Sequence, residues 1–397
     1  MLAFERPRGF SLLALIFCPV GARIRSQPFR PKSEIQSSAV IWRSMESLVK
    51  WSLAIVLLSV LRVGTSAKEL PVGVTPTAPT PPACADATPH KEMWVRIDNG
   101  VQLQVLDWGG ADKSRTMVLL TGLGDNAHVY DQFAFQFTDF FHVLGITRRG
   151  YLPSSQPAGS ATGAGYDLDT RARDDVAVLD SLGISKAVFV GHSVAGSELS
   201  TLGMKYGNRV DKLVYLDAFD LAKRFQLPDV PPPPYTEADN RSVQILLAAN
   251  ERLENILRPA QAVCIAVQFD GNGVITDSTT PGSVPQAILL GVQTSPPTDW
   301  TDIEAARLGI FDQPSVEGKL PYYWYLNAKD RKQFDENWPA IVQWYTDRIR
   351  EFAASQPGRP KPIVYTLPDA PHYFYFNDQA FVVRVMREFL LHKDLPR

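Results

Sequence analysis

Long apolar runs are scarce in this 397-residue chain. None approaches the ~20 consecutive apolar residues that cross a bilayer, so no integral membrane span is expected beyond a tether at the N-terminus. Cysteine is scarce too. Of Cys18, Cys84 and Cys264, none has a neighbour at metal-ligand spacing, and no metal site is expected. Cys84 and Cys264 lie 180 positions apart. They could pair in an oxidising compartment, but two cysteines so far apart are more often just two thiols. A large charge excess is also missing. Lys and Arg number 40 against 42 Asp and Glu, for a net charge of −2. Residues 1–67 carry nine basic and three acidic groups, which leaves −8 for residues 68–397. An acidic body excludes a polyanion binder, because nucleic-acid affinity comes largely from Lys and Arg neutralising phosphates. No internal repeat is visible. What is present, 45% apolar and 21% charged residues, describes a globular protein rather than a disordered, collagen-like or coiled-coil chain.

Two short apolar runs stand near the N-terminus. Phe10–Val20 follows Arg6 and Arg8; Trp51–Leu61 follows Lys50 and precedes Thr65-Ser66-Ala67. The second run has the basic start, apolar centre and small-residue exit of an export signal. It begins close after Met45, so residues 45–67 are expected to be a signal peptide within a 1–67 targeting segment, with cleavage after Ala67. Export (secreted or periplasmic) follows, or a membrane tether if the segment stays uncleaved. A transit peptide in residues 21–44 is the competing reading. Residues 68–90, rich in Pro, Thr and Ala, cannot bury a core and read as a linker that contains Cys84.

From residue 91 the chain alternates strand-like and helix-like segments. Trp94–Ile97 and Gln102–Asp107 flank Asp98-Asn99-Gly100, a hairpin signal. Strands are expected at Met117–Leu120, His142–Thr147, Ala187–Val190, Lys212–Leu216, Arg307–Phe311 and Ile363–Thr366. Helices are expected at Asn126–Phe140, Asp169–Leu182, Ser193–Tyr206, Trp338–Ala353 and Ala380–Leu391. This rhythm predicts an α/β fold with a mostly parallel sheet covered by helices on both faces. Residues 221–304 break it, with Pro231–Pro234, a helical piece near Val243–Leu257 and a Gly/Thr/Pro loop at 270–285. They are expected to be an inserted helical cap on a core built from 91–220 and 305–397, with 313–361 a second helical excursion.

The segment that carries chemistry is Ala187-Val-Phe-Val-Gly-His-Ser-Val-Ala-Gly196. A buried strand, a Gly-x-Ser turn and a helix would hold the Ser193 hydroxyl at the sheet's carboxyl edge, above a helix N-terminus. A serine that merely caps the following helix is the bland alternative. Gly122-Leu123-Gly124 lacks the third glycine and the Lys-Ser/Thr of a phosphate loop, and Gly271-Asn272-Gly273 is read as a turn.

In this ordered set the chain resembles the α/β-hydrolase superfamily, from about Lys91 to the C-terminus. Thr121-Gly-Leu-Gly124 follows a strand where that family usually has His-Gly. Arg148-Arg-Gly-Tyr-Leu-Pro-Ser-Ser155, Asp174-Asp175, Leu213-Val-Tyr-Leu-Asp-Ala218 and Pro368-Asp-Ala-Pro-His-Tyr373 come next, in the same order as in the family. The elbow departs mildly: Ala195 stands where the family has its second glycine, and Gly196 follows one position later.

The resemblance implies a nucleophile, Ser193, and a base, His372, just after the last strand. It also implies an oxyanion hole from the backbone N–H groups of Leu123 and Val194. The remaining histidines, His90, His128, His142, His192 and His392, fit structural places, with His128 a candidate pocket wall. Most members carry the triad acid after the seventh strand. Some carry it at the end of the sixth, as Tyr215-Leu-Asp-Ala218 suggests here, so Asp217 is expected first, Asp312 second and Asp220 third. The implied activity is cofactor-free hydrolysis of a small apolar carboxylic ester, thioester or amide through an acyl-enzyme. Aromatics such as Phe225, Tyr235, Tyr322, Tyr323, Trp324 and Tyr325 would serve as pocket or core. Epoxide hydrolases and haloalkane dehalogenases use aspartate at the elbow, which Ser193 does not provide. Three rivals stand beside this reading. They are a small-ligand-binding protein with little or no turnover, a cofactor-free perhydrolase, and a lyase or C–C hydrolase.

Overall fold

The structure, a computed structural model, describes residues 89–391 except 98–99, 161, 222–226, 229, 232–265, 270–274, 280–284, 321–322, 324–325 and 356–359. Both N-terminal apolar runs, the three cysteines, the Val243–Leu257 piece, His392 and, of the six aromatics, all but Tyr323 lie outside the described residues. Among those described, no helix is long and apolar enough to cross a membrane.

The described residues form ten strands: β1 (Lys91–Arg96), β2 (Gln102–Gly109), β3 (Thr116–Leu120), β4 (His142–Ile146), β5 (Ala187–His192), β6 (Val210–Leu216), β7 (Ala266–Phe269), β8 (Ile275–Thr279), β9 (Ala306–Gln313) and β10 (Ile363–Pro368). Eight form one sheet in the order β1-β2-β4-β3-β5-β6-β9-β10. Pairing is antiparallel at β1·β2 and β2·β4 and parallel from β4 through β10.

The central strands are apolar on both faces because helices cover both, and their inner residues alternate between two cores. Val118, Leu120, Phe189, Leu213 and Tyr215 enter one core. Met117, Leu119, Val188, Val190, Val214 and Leu216 enter the other. The first core also receives α1 (Leu168–Ser181), α2 (Ala195–Lys205) and α4 (Ala328–Ala354). The second receives Phe133, Phe137 and α5 (Gln379–Leu391). Helix ends follow local chemistry. The Asp167 carboxylate accepts the Thr170 N–H at 2.9 Å at the start of α1, and Gly183 at φ +68° follows its end.

Three expectations are corrected. Asn126–Phe140 is not a continuous helix: a 3₁₀ turn (Ala127–Tyr130) and one α turn (Asp131–Ala134) are followed by further i to i−3 bonds, Gln136 to Phe133 and Phe137 to Ala134. Its aromatic side chains Tyr130, Phe133 and Phe137 are buried in the second core, and aromatic residues lose side-chain freedom in a helix. The Gly/Thr/Pro loop at 270–285 contains strand β8, which pairs antiparallel with β7. With α3 (Pro285–Thr294), the described part of the insertion is therefore mixed rather than purely helical. Finally, the helix expected at Trp338 begins ten residues earlier. Asn327 accepts the Asp330 N–H at 2.9 Å and caps α4, whose charged first turns hide the apolar stripe of Phe334, Trp338, Ile341 and Tyr345.

Candidate active site

β5 runs straight into Ser193, which takes φ +55°, and α2 begins two residues later. For a residue with a Cβ this left-handed conformation is strained, and it persists because the surroundings determine it. The Ser193 N–H donates to the Leu216 carbonyl at 3.2 Å. The turn brings α2 hard against the start of the loop after β6. A Cβ at Gly196 would lie 2.5 Å from the Ala218 carbonyl carbon and 2.6 Å from the Phe219 nitrogen. Glycine is therefore demanded at 196 rather than 195, which accounts for the displaced second glycine of the motif.

β6 and β10 end at the same edge. Asp217, at φ +45°, directly follows β6. His372 follows β10 in a loop that several bonds fix. Its imidazole Nδ1 lies 2.6 Å from Asp217 Oδ2, and both side chains are 0% exposed. A proton on Nδ1 shared with Asp217 leaves Nε2 as the basic nitrogen. Ser193 Oγ and His372 Nε2 are both buried and neither has a hydrogen-bond partner among the described residues. Burial pushes the His372 imidazole down to about 3, and the carboxylate beside Nδ1 opposes that by favouring the imidazolium.

The other two acids take different places. Asp312, at the end of β9, donates its N–H to Asp217 Oδ1 at 3.2 Å, and its own Oδ1 accepts the Ala370 N–H at 2.9 Å. It braces both Asp217 and the histidine loop. Asp220 accepts the Thr298 N–H at 2.7 Å and the Ser197 hydroxyl at 3.3 Å, tying α2 to the end of the insertion. Only Asp217 is hydrogen-bonded to the His372 ring among the described residues.

Four further histidines can be placed. His192 donates from Nε2 to the His372 carbonyl at 3.0 Å, and the two rings lie 4.4 Å apart. Burial holds its imidazole well below the ordinary value, so it is neutral. His128 pairs with Asp131 at 3.0 Å and has an edge contact with the His90 ring. Trp108 donates to the same aspartate, which ties His128 to the packing against β2. His142 pairs with Asp107 at 2.8 Å. Tyr323 donates to Asp335 and packs on Phe334, a core role.

The loop after β3 passes beside the elbow. A Cβ at Gly122 would lie 2.9 Å from His192 Nδ1 and 3.1 Å from Asp125 Oδ2, so glycine is needed for this close approach. Leu123 and Val194 are both buried. The Thr121 hydroxyl donates to the Asp125 carbonyl at 3.0 Å, Gly124 N–H donates to the Tyr151 hydroxyl at 3.1 Å, and the Tyr373 hydroxyl donates to Asp125 at 3.2 Å. The sequence reading missed these braces, together with His192 as a support for the histidine loop. Their one sequence signal was adjacency to the motif residues.

The model of a family described as "Alpha/beta hydrolase family" matches residues 117–385, well over half of the chain. The chain belongs to the alpha/beta hydrolase family. It is similar to mouse "Epoxide hydrolase 4", 30% identical over 139 residues, which is 34% of this chain and 38% of that relative. It is also similar to the "Bifunctional esterase/perhydrolase DCH" of Acinetobacter calcoaceticus, 32% identical over 127 residues, 32% of this chain and 44% of the relative. The match thus spans under half the length of these curated relatives. Among solved structures, a probable hydrolytic enzyme from Pseudomonas aeruginosa superposes with a TM-score of 0.48 at 15% identity, covering 76% of this chain and 94% of that one.

Proposed function

We propose that this alpha/beta hydrolase is a serine hydrolase acting on a small apolar carboxylic ester, thioester or amide. The observation that carries the reading is the Asp217–His372 contact of 2.6 Å at the same sheet edge as a serine held at φ +55°. His372 Nε2 takes the Ser193 proton as Oγ attacks the carbonyl carbon. Asp217 holds the imidazole in the productive tautomer and stabilises the imidazolium. The N–H groups of Leu123 and Val194 receive the oxyanion. The imidazolium returns its proton to the leaving alkoxide, thiolate or amine, and an acyl-Ser193 ester remains. Water, deprotonated by His372, then hydrolyses that ester and restores the hydroxyl.

Ser193 argues against epoxide opening, even though a relative carries that name. Opening an epoxide on serine would leave an alkyl ether, which water does not hydrolyse, whereas a carboxylate nucleophile leaves a cleavable ester. The likeness to an esterase/perhydrolase supports a second reading, in which hydrogen peroxide replaces water in deacylation and a peracid leaves. Residues 221–304 serve as the cap in this proposal, and residues 45–67 as an export signal. An intact mass beginning at Lys68 supports the latter, and one beginning well before it opposes it.

The test is a fluorophosphonate probe on the purified protein, with peptide mapping. Labelling at Ser193, lost in a folded Ser193→Ala variant, is expected. A folded protein that is never labelled leaves a ligand-binding role instead. Acyl transfer with and without added peroxide separates the perhydrolase.

A further inference from the structure

A buried ionic cluster lies behind the elbow and takes no direct part in the acyl transfer proposed above. Arg148 follows β4, Arg171 and Asp175 belong to α1, and Glu198 belongs to α2; all four are buried. Glu198 Oε2 accepts from Arg148 Nε at 2.7 Å and from Arg171 Nη2 at 2.6 Å. The other arm of Arg148 turns the opposite way. Its Nη1 donates to Thr121 Oγ1 at 3.0 Å and reaches the Gly122 carbonyl oxygen at 3.5 Å. Thr121 passes the constraint on through its bond to the Asp125 carbonyl. One rigid guanidinium therefore spans from the helix that starts after Val194 to the loop that contains Leu123.

Planarity gives this span a consequence. The Gly122 carbonyl and the Leu123 N–H belong to one trans peptide and point in opposite directions. Drawing the carbonyl towards Arg148 turns the N–H away from the cluster. At the other end, Glu198 ties the same guanidinium to α2, whose N-cap residue is Val194. Buried ion pairs contribute little stability compared with apolar residues of similar volume, so stability is a weak reason for the cluster. A forked, always-charged donor is well suited to holding two segments at fixed geometry, and a lysine is not.

We propose that Arg148, anchored by Glu198, is a positioning residue that sets the spacing and orientation of the two oxyanion donors, Leu123 and Val194. The proposal rests on the acyl-transfer reading of the site. The protonation states suit it. Burial works against the Glu198 charge, but the Arg148 and Arg171 guanidiniums outweigh burial and hold its carboxyl below the usual glutamate value. The anchor is thus ionised at any pH where the enzyme would work.

The test uses the full chain, p-nitrophenyl acetate as substrate, and an aryl trifluoromethyl ketone that forms a tetrahedral oxyanion on the serine. Arg148→Lys keeps the charge but cannot reach both ends of the span, and Thr121→Val removes only the hydroxyl that receives it. For Arg148→Lys, kcat is expected to fall about 10- to 100-fold, the scale of a misplaced oxyanion donor. KM should change little, the ketone should bind more weakly by a similar factor, and the acid limb of the pH profile should not move. Thr121→Val should shift kcat and ketone affinity in the same direction. A folded Arg148→Lys or Thr121→Val with undiminished kcat overturns the proposal. So does a loss of kcat without weaker ketone binding. If Arg148→Lys does not fold, Thr121→Val decides. Wild-type protein that fluorophosphonate fails to label defeats the acyl-transfer reading itself, whereas labelled wild type with unaffected variants defeats only the positioning role.

Discussion

Asp217 Oδ2 lies 2.6 Å from His372 Nδ1 across 155 positions of the chain. The meeting follows from sheet order: β6, β9 and β10 are consecutive and parallel, so the residues after β6 and β10 emerge at one edge. Asp312 at the end of β9 sits between them and bonds to both neighbouring loops.

Three acids therefore have three expected phenotypes. Asp217→Asn should lower kcat/KM by about 10⁴-fold, because the amide favours the wrong imidazole tautomer. Asp312→Asn keeps an oxygen for the Ala370 N–H, so its loss should stay near 10-fold or less. Asp220→Asn should leave kcat/KM within about 3-fold, since it braces the insertion and not the ring. Steady-state kinetics on folded proteins checks the order, and Asp312→Asn as the most damaging change would move the acid role to β9.

The pH dependence has a definite sign. Neutral His372 is the competent base, and burial lowers its value to about 3. As pH falls through the ordinary histidine value of about 6.5 the ring should still be neutral, so activity persists and the acid limb lies lower. A kcat/KM profile over about pH 4 to 9 checks this. An acid limb at or above the ordinary value contradicts it.

Gly196→Ala should destabilise the protein by about 1–3 kcal/mol, as overpacking does, because its Cβ would meet the Ala218–Phe219 backbone at 2.5–2.6 Å. Gly207→Ala, where a Cβ meets nothing within 4 Å, should stay within about 1 kcal/mol of wild type. Urea unfolding of the pair separates close approach at the elbow from a general intolerance of alanine.

Asp369 stands at φ +47° three positions before His372. Its carboxylate accepts the Ser315 N–H at 2.7 Å and the Ser315 hydroxyl at 3.0 Å. Asp369→Ala loses both bonds and keeps the strained conformation, so a cost of about 2–4 kcal/mol is expected. Asp369→Gly removes the strain and should cost less, and Asp369→Asn should cost least because asparagine tolerates the left-handed region and keeps an acceptor. Unfolding midpoints give the order, and Gly falling below Ala would show that the conformation is not strained.

Local pattern was enough for much of this protein. Continuous apolar runs marked the buried strands, Asp167 and Gly183 bracket a helix that was read to within a residue or so, and Gly191-His-Ser-Val placed the serine on a strand-to-helix turn. Such features depend on neighbours in sequence, which a single chain displays. The insertion and the first turns of α4 were less legible. In α4 a charged surface outnumbers the apolar stripe, and in the insertion β7 and β8 are short strands separated by turn-forming residues.

The Tyr215-Leu-Asp-Ala218 pattern put Asp217 ahead of Asp312 and Asp220, but which of the three meets the His372 ring belonged to tertiary structure. All three are buried aspartates at or just after strand ends, chemically identical in sequence. They differ only in which loop each faces once the parallel strands are ordered side by side. The same holds for Arg148 and Glu198, fifty positions apart, whose meeting depends on β4 and α2 converging at one edge of the sheet. Sequence determined the fold class and the serine because strand, turn and helix are local. Tertiary structure decided which aspartate meets His372 and which glutamate meets Arg148, because hydrogen bonds reach about 3 Å in space and take no account of separation along the chain.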